Sequence, residues 1–142
     1  MEISQKLYFD WLASYPWEGF LTARIPNDVH AVRAYLPLVE QVLRPLARHL
    51  KIRLGAISVV SFGHPGEQRP HFHVLLTSKA GQLLPWIEEA QRFLGDGAAN
   101  LLLPFAPERH LHYTAGHMTG EGDINFYDRK LLEALKTKGV TP

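Results

Sequence analysis

The amino-acid sequence predicts a single α+β domain over residues 1–142: a central antiparallel sheet with a ferredoxin-like (split βαβ) core and flanking helices. Three observations predict it. Short β-rich runs alternate with helical periods along the chain. Two of the strongest runs, AISVVSF (56–62) and HFHVLLTS (71–78), are joined by a polar connector short enough for an antiparallel hairpin. No repeat or low-complexity linker divides the sequence, and 142 residues suit one core.

Residues 2–14 read as a helix, with Ile3, Leu7, Trp11 and Ser14 near one face and Phe9 and Leu12 widening it; Pro16 ends it. FLTARI (20–25) is a short strand stopped by Pro26, and Asn27 or Asp28 can cap the next helix. Residues 28–50 carry Val32, Leu36, Val39, Leu43, Leu46 and Leu50 at helical spacing, with Pro37 and Pro45 predicting kinks or a division into two helices. After the hairpin, Gln82–Leu94 is helical and Gly95-Asp96-Gly97 closes it. From 100 to 117 the signal is mixed, and NLLLPF and RHLHYTAGHM could each be a strand, giving one or two; 122–138 (GDINFYDRKLLEALKTK) reads as a final helix with Asp123 as its N-cap.

Composition narrows the chemistry. Hydrophobic residues make up 46% and charged residues 20%, which is the balance of a folded globule. There is no run of eighteen apolar residues and no basic-then-apolar leader, so neither membrane span nor membrane partner is expected. The absence of cysteine excludes disulfides, thiolate metal sites and a cysteine nucleophile. It fits an intracellular location, cytoplasmic or, in a eukaryotic or viral host, nuclear. A net charge of +1 is low for a non-specific duplex binder, so any nucleic-acid contact should be short, local or single-stranded. Glycine-rich stretches such as GHPGE and TGEGD lack the Lys-Ser/Thr of a nucleotide-binding loop.

Eight histidines are the distinctive feature. In a strand, His71 and His73 share a face with Cα atoms about 6.5–7 Å apart, a spacing from which two imidazoles can converge on one ion. His64, brought back by the hairpin, is the favoured third ligand, and Glu67 is the alternative whose harder oxygen suits Mg²⁺ or Mn²⁺. Phe72, with Leu75 nearby, should anchor the other side of the strand. Three such ligands leave positions open for water or a phosphate oxygen. The same HxH can also be an ordinary solvent-facing pair. His110, His112 and His117 could supply a ligand in place of His64, orient one, or simply be half-exposed strand residues.

RPHFHVLL is similar to the histidine–hydrophobic–histidine motif of the HUH endonucleases, the superfamily of rolling-circle replication initiators, relaxases and some single-strand transposases. GFLTARIP resembles the strand motif near the start of initiator domains, and GHPGEQRPHFHVLL has the layout of those with a third ligand seven residues before the first motif histidine. The resemblance spans about Gly19 to Lys130. It implies a metal-dependent endonuclease and ligase acting on single-stranded DNA or a hairpin origin, with one divalent ion, Mn²⁺ or Mg²⁺. It also implies a tyrosine that becomes linked to the 5′ phosphate. Such a domain would take any helicase from a separate protein.

The family's Tyr-x-x-Lys spacing falls on Tyr127 and Lys130, which would share a face of the last predicted helix. Tyr127 would attack, and Lys130 would offset developing oxyanion charge. Leu131 and Leu132 stand where many initiators carry a second tyrosine, which implies a single-tyrosine enzyme. Tyr113 is the alternative nucleophile, on a predicted strand. Thr22 and Arg24 share a face of the first strand, and Arg24, Arg69 and Lys79 are candidate phosphate contacts. Trp17 is the aromatic best suited to stack on a base, whereas Tyr8, Trp11 and Trp86 read as core or helix-docking residues. Two other readings stay open: a non-catalytic nucleic-acid-binding module of ferredoxin-like fold, and a metal-dependent phosphoesterase that uses water.

Overall fold

The computed structural model describes residues 3–24, 37–61, 71–95, 100–119 and 124–136. Helix α1 (Ile3–Leu12) leads into β1 (Gly19–Arg24). A π-helical segment (Leu38–Leu43) runs directly into α2 (Arg44–Leu50), followed by the hairpin strands β2 (Leu54–Ser61) and β3 (His71–Ser78). Then come two 3₁₀ turns (Lys79–Gly81 and Leu84–Trp86), α3 (Ile87–Leu94), β4 (Asn100–Pro104), α4 (Pro107–Met118), β5 (Ile124–Tyr127) and α5 (Arg129–Leu135). The five strands form one sheet in the order β4-β1-β3-β2-β5, and every neighbouring pair is antiparallel. The fold is therefore α+β, an antiparallel sheet flanked by helices. Among the described residues no helix is long and apolar enough to cross a membrane.

Side chains alternate across each strand, so the register assigns every strand residue to a face. One face, with Leu21, Ala56, Phe72 and Leu76, packs against the π segment, α2 and α3 through Leu38, Leu43, Leu46, Leu83 and Ala90. The other, with Phe20, Ile57, Val59 and Leu75, packs against α1 and α4 through Leu12, Leu111 and Met118. The central strand β3 is covered on both sides, and only its first residue, His71, is partly open. Phe72 does anchor the strand on the α2/α3 side, as its place in the sequence predicts. Leu75 lies on the opposite face, with the histidines.

Pro45 acts as expected on the helix before β2. Pro45 has no N–H to donate, and the turn ahead of it widens so that the Arg44 N–H bonds the Val39 carbonyl. Residues 28–36 of the predicted helix lie outside the described residues. In α1 the buried side is Leu12 with Tyr8, Phe9 and Trp11 beside it, whereas Ile3 and Leu7 are exposed. The helix is thus rotated from the face its spacing predicts.

Two elements differ in kind. RHLHYTAGHM is not a strand but most of α4, with Pro107 and Glu108 in its first turn. The single predicted helix over 122–138 is a strand and then a helix, with the break at Asp128. Asp128 adopts a left-handed backbone (φ 56°), and its carboxylate accepts the Leu131 N–H at 3.1 Å, making it the cap of α5. Arg53 grips the same carboxylate and, with that backbone bond, holds it below the usual carboxylate range. Asp123, the cap expected from sequence, lies outside the described residues.

A buried carboxylate ties the far end of the sheet together. Glu18 accepts hydrogen bonds from the Ser78 hydroxyl (2.7 Å), the Thr77 hydroxyl (3.3 Å) and the Leu84 N–H (2.9 Å). Glutamine in its place would keep one acceptor oxygen but set an NH₂ against the Ser78 and Thr77 hydroxyls, so the Ser78 proton would lose its acceptor. Glu18→Gln should therefore cost about 1–2 kcal/mol, read as a lowered urea midpoint at unchanged m-value.

Candidate active site

The histidine-bearing face of the sheet is built where β3 and β1 run side by side. His73 lies directly across from Thr22, and His71 from Arg24, so two imidazoles, a hydroxyl and a guanidinium share one face at one end of the strands. Thr22 and Arg24 occupy the common face that their spacing predicts. Val59 of β2 flanks His73 on the other side.

Helix α4 closes over this face. His110, Tyr113 and His117 recur at intervals of three and four, so they form one stripe on the helix. The Tyr113 ring meets His73 edge-on with centroids 4.8 Å apart, and the His117 ring stacks on His73 at 4.6 Å and 20°. Tyr113 and His117 contact each other at 4.6 Å. Phe20 forms the floor, stacked on His110 at 4.3 Å and parallel to His73 at 6.1 Å. The Nδ1 of His110 accepts the Ala106 N–H at 2.9 Å, which locks the ring and satisfies an end donor of the helix.

His73 is only 5% exposed, and its Nδ1 is buried without a hydrogen-bond partner among the described residues. Burial, with His117 and His71 adding to it, lowers its pKa to about 4, so the ring is neutral at neutral pH. A neutral imidazole with an unshared lone pair in a buried wall has the character of a metal ligand. His71, two residues away at the open end, is a fitting second. His117 is not a third in this arrangement, because lone pairs in nearly parallel stacked rings do not converge on one ion. Among the described residues no group of three or more His, Cys, Asp or Glu is placed to hold a metal. His64, Glu67 and Arg69 lie outside the described residues.

The sequence-predicted nucleophiles separate. Tyr127 is not on a helix but ends β5, paired with Ala56, whose face packs against α2 and α3. The sheet stands between Tyr127 and His73. Lys130 is exposed in the first turn of α5, and a strand end followed by a left-handed residue breaks the helical face that the spacing predicts for it and Tyr127. Tyr113 is on a helix, half-exposed, and touches His73. Lys79 follows the opposite end of β3 from His71, about 20 Å or more along the strand. It is therefore not beside the histidines; Arg24 is.

Of the other aromatics, Trp17 is buried, donating its indole N–H to the Leu12 carbonyl at 2.7 Å, so it is not a base-stacking platform. Trp86, read as core, is 52% exposed. His112 turns away from His110 toward α1, its ring tilted at 44° to Phe9 with centroids 4.6 Å apart.

The role of His117 beside Tyr113 is not evident in the strand reading of this segment, although its signal is present in the sequence. The 110/113/117 spacing is helical, as is the apolar set Leu111, Ala115 and Met118, whereas the HxH at 110 and 112 reads as a strand. No family model, curated protein or solved structure matches this chain.

Proposed function

We propose that this chain is a metal-dependent single-strand DNA endonuclease and ligase of the replication-initiator type, with Tyr113 as its nucleophile. The observation that carries the reading is the convergence of His73, Tyr113 and His117 on the sheet face that also bears His71, Thr22 and Arg24. The fold reading follows the same line. The order β4-β1-β3-β2, with α2 between β1 and β2, α3 between β3 and β4, and both helices against one face, supports a ferredoxin-like split βαβ core. In this reading β5 extends the β2 edge.

The residues suit one divalent ion, Mn²⁺ or Mg²⁺, held by His71 and His73, with His64 or Glu67 as the ligand from the connector. When bound, the ion supplies Lewis-acid polarisation of the scissile phosphate. Arg24 steadies a non-bridging phosphate oxygen across from His71. The Tyr113 oxygen attacks phosphorus, and its proton passes to His117 one helical turn away. The bond from phosphorus to the 3′ oxygen breaks, and that oxygen leaves as a hydroxyl once protonated. The 5′ phosphate stays on Tyr113 as a phosphodiester, so a 3′ hydroxyl can later attack it and rejoin the strand without an external energy source. Three ring contacts on Tyr113, from Phe20, His73 and His117, restrain the phenol before substrate arrives.

Incubating the protein with Mn²⁺ and a pool of labelled single-stranded oligonucleotides should give a slow-migrating species that survives denaturation and is prevented by EDTA. Cut strands with no adduct would replace the tyrosine with metal-bound water. Absence of both products across the pool would leave a nucleic-acid-binding module without cleavage.

A further inference from the structure

A second site lies on the opposite face of the sheet from the histidines. The C-terminal half of α2, the turn into β2 and the end of β5 enclose an open cleft of about 630 Å³. Arg44, Arg48, Lys51 and Arg53 line it, with Tyr127 and Asp128 on the far side. All four cations are exposed. Arg53 is engaged by Asp128, whereas Arg44, Arg48 and Lys51 have no ion pair within the described residues.

Four cations against one carboxylate give the cleft a formal charge of +3, whereas the whole chain carries +1, leaving −2 for the remainder. The molecule thus concentrates its positive potential in this groove, where the apolar flank of Ala47, Ile52 and Leu54 limits solvent screening. Arg44 and Arg48 are one helical turn apart on one face and so present two guanidinium forks in a row. Tyr127, half-buried, forms part of the wall. Cations in series along an open trough, with an aromatic beside them, match a run of backbone phosphates better than a single enclosed anion.

We propose that this cleft is an anchoring site for the phosphodiester backbone of a single-stranded nucleic acid, distinct from the histidine face. The choice of nucleic acid rests on the function proposed above; the polyanion character rests on the cleft alone. The site gives Tyr127 a role on the binding side of the molecule.

The test compares full-length protein with the Arg44→Gln/Arg48→Gln double variant, both substitutions falling at exposed helix positions. Affinity for a fluorescent single-stranded oligonucleotide is read by anisotropy across a salt series, without divalent metal. The double variant should bind at least tenfold more weakly, and the slope of log affinity against log salt should fall by about 1.4, two phosphates' worth for single strands. Lysine at both positions should restore most of the affinity, and Lys6→Gln, an exposed charge removed from α1, should bind like the wild type. Unchanged affinity and slope would overturn the proposal. So would loss of inorganic pyrophosphate binding with oligonucleotide affinity retained, which would make the cleft a small-anion site. Cleft-dependent binding by a protein that forms no covalent adduct would remove the nicking function and leave this site standing.

Discussion

Tyr113→Phe should abolish the covalent protein–DNA adduct, a loss of about 10³-fold or more in strand cleavage, because no other group inherits the attack. The phenyl ring keeps the edge contacts to His73, Phe20 and His117, so the fold and the site walls should be undisturbed. Tyr127→Phe should leave the adduct intact under saturating DNA. Its hydroxyl is on the far side of the sheet, and its loss should show as a modest weakening of DNA binding. The pair of variants separates chemistry from binding: one tyrosine should change the amount of adduct at all DNA concentrations, the other only its dependence on DNA concentration. Equal loss in both would deny the division of the two faces.

Acid should destabilise the metal-free protein through His73. Its folded-state pKa is about 4 against an ordinary 6.5, so the unfolded chain binds the proton more readily than the folded one. Stability from this group is fully present above pH 6.5 and falls as pH drops toward 4. Below that both states are protonated, and the loss levels off at about 3 kcal/mol. His110, also lowered by burial and by Arg109, adds in the same direction. The groups facing His73 are His71, His117 and Tyr113, and none of them is a carboxylate that would compensate the new charge. Urea titrations at pH 7.5, 6 and 4.5 on wild type and His73→Phe should give different pH dependences, the wild type losing more stability toward acid, since phenylalanine keeps the stacking against Phe20 and cannot titrate. Parallel curves for the two proteins would show that His73 takes up its proton equally in the folded and unfolded chains, which contradicts its burial as the cause of a lowered pKa.

The parts of the fold legible in sequence are those where one pattern dominates over several residues. β1, β2, β3 and β4 alternate or are uniformly apolar and lie between Gly or Pro, and all four appear where expected. The hairpin joining β2 to β3 follows from a connector too short for a crossover, and it brings His71 opposite Ser61. α4 reads as a strand because its first residues superimpose two periods. HLHY offers aromatic and branched-chain alternation, while His110, Tyr113 and His117 offer a helical stripe that only the longer window favours. The consequence reaches the site, since a strand would turn Tyr113 and His117 to different neighbours.

The C-terminal segment is hard to read for a different reason. INFY is four residues long, too short to display a period, and its apolar positions blend into the register of the following helix. Only the left-handed Asp128, whose identity suits both a turn and a cap, marks the division. Without that break Tyr127 and Lys130 fall on one helix face, and the Tyr-x-x-Lys spacing then carries more weight than it can bear. The histidine pair is legible because it needs only a strand and a parity. The cleft of Arg44, Arg48, Lys51 and Arg53 is not, since its parts come from a helix end, a turn and an edge strand that only the folded sheet brings together.

The most direct measurement is to find the residue that carries DNA after cleavage. Protein incubated with Mn²⁺ and a single-stranded substrate is digested, and the nucleotide-bearing peptide is sequenced by tandem mass spectrometry. Trypsin leaves both candidates in one peptide, His110–Arg129, so cleavage after Glu121 is needed to part Tyr113 from Tyr127. The account predicts the 5′-phosphonucleotide on Tyr113 in the fragment ending at Glu121. The same mass on Tyr127, or on neither tyrosine of a protein that cuts DNA, would contradict it.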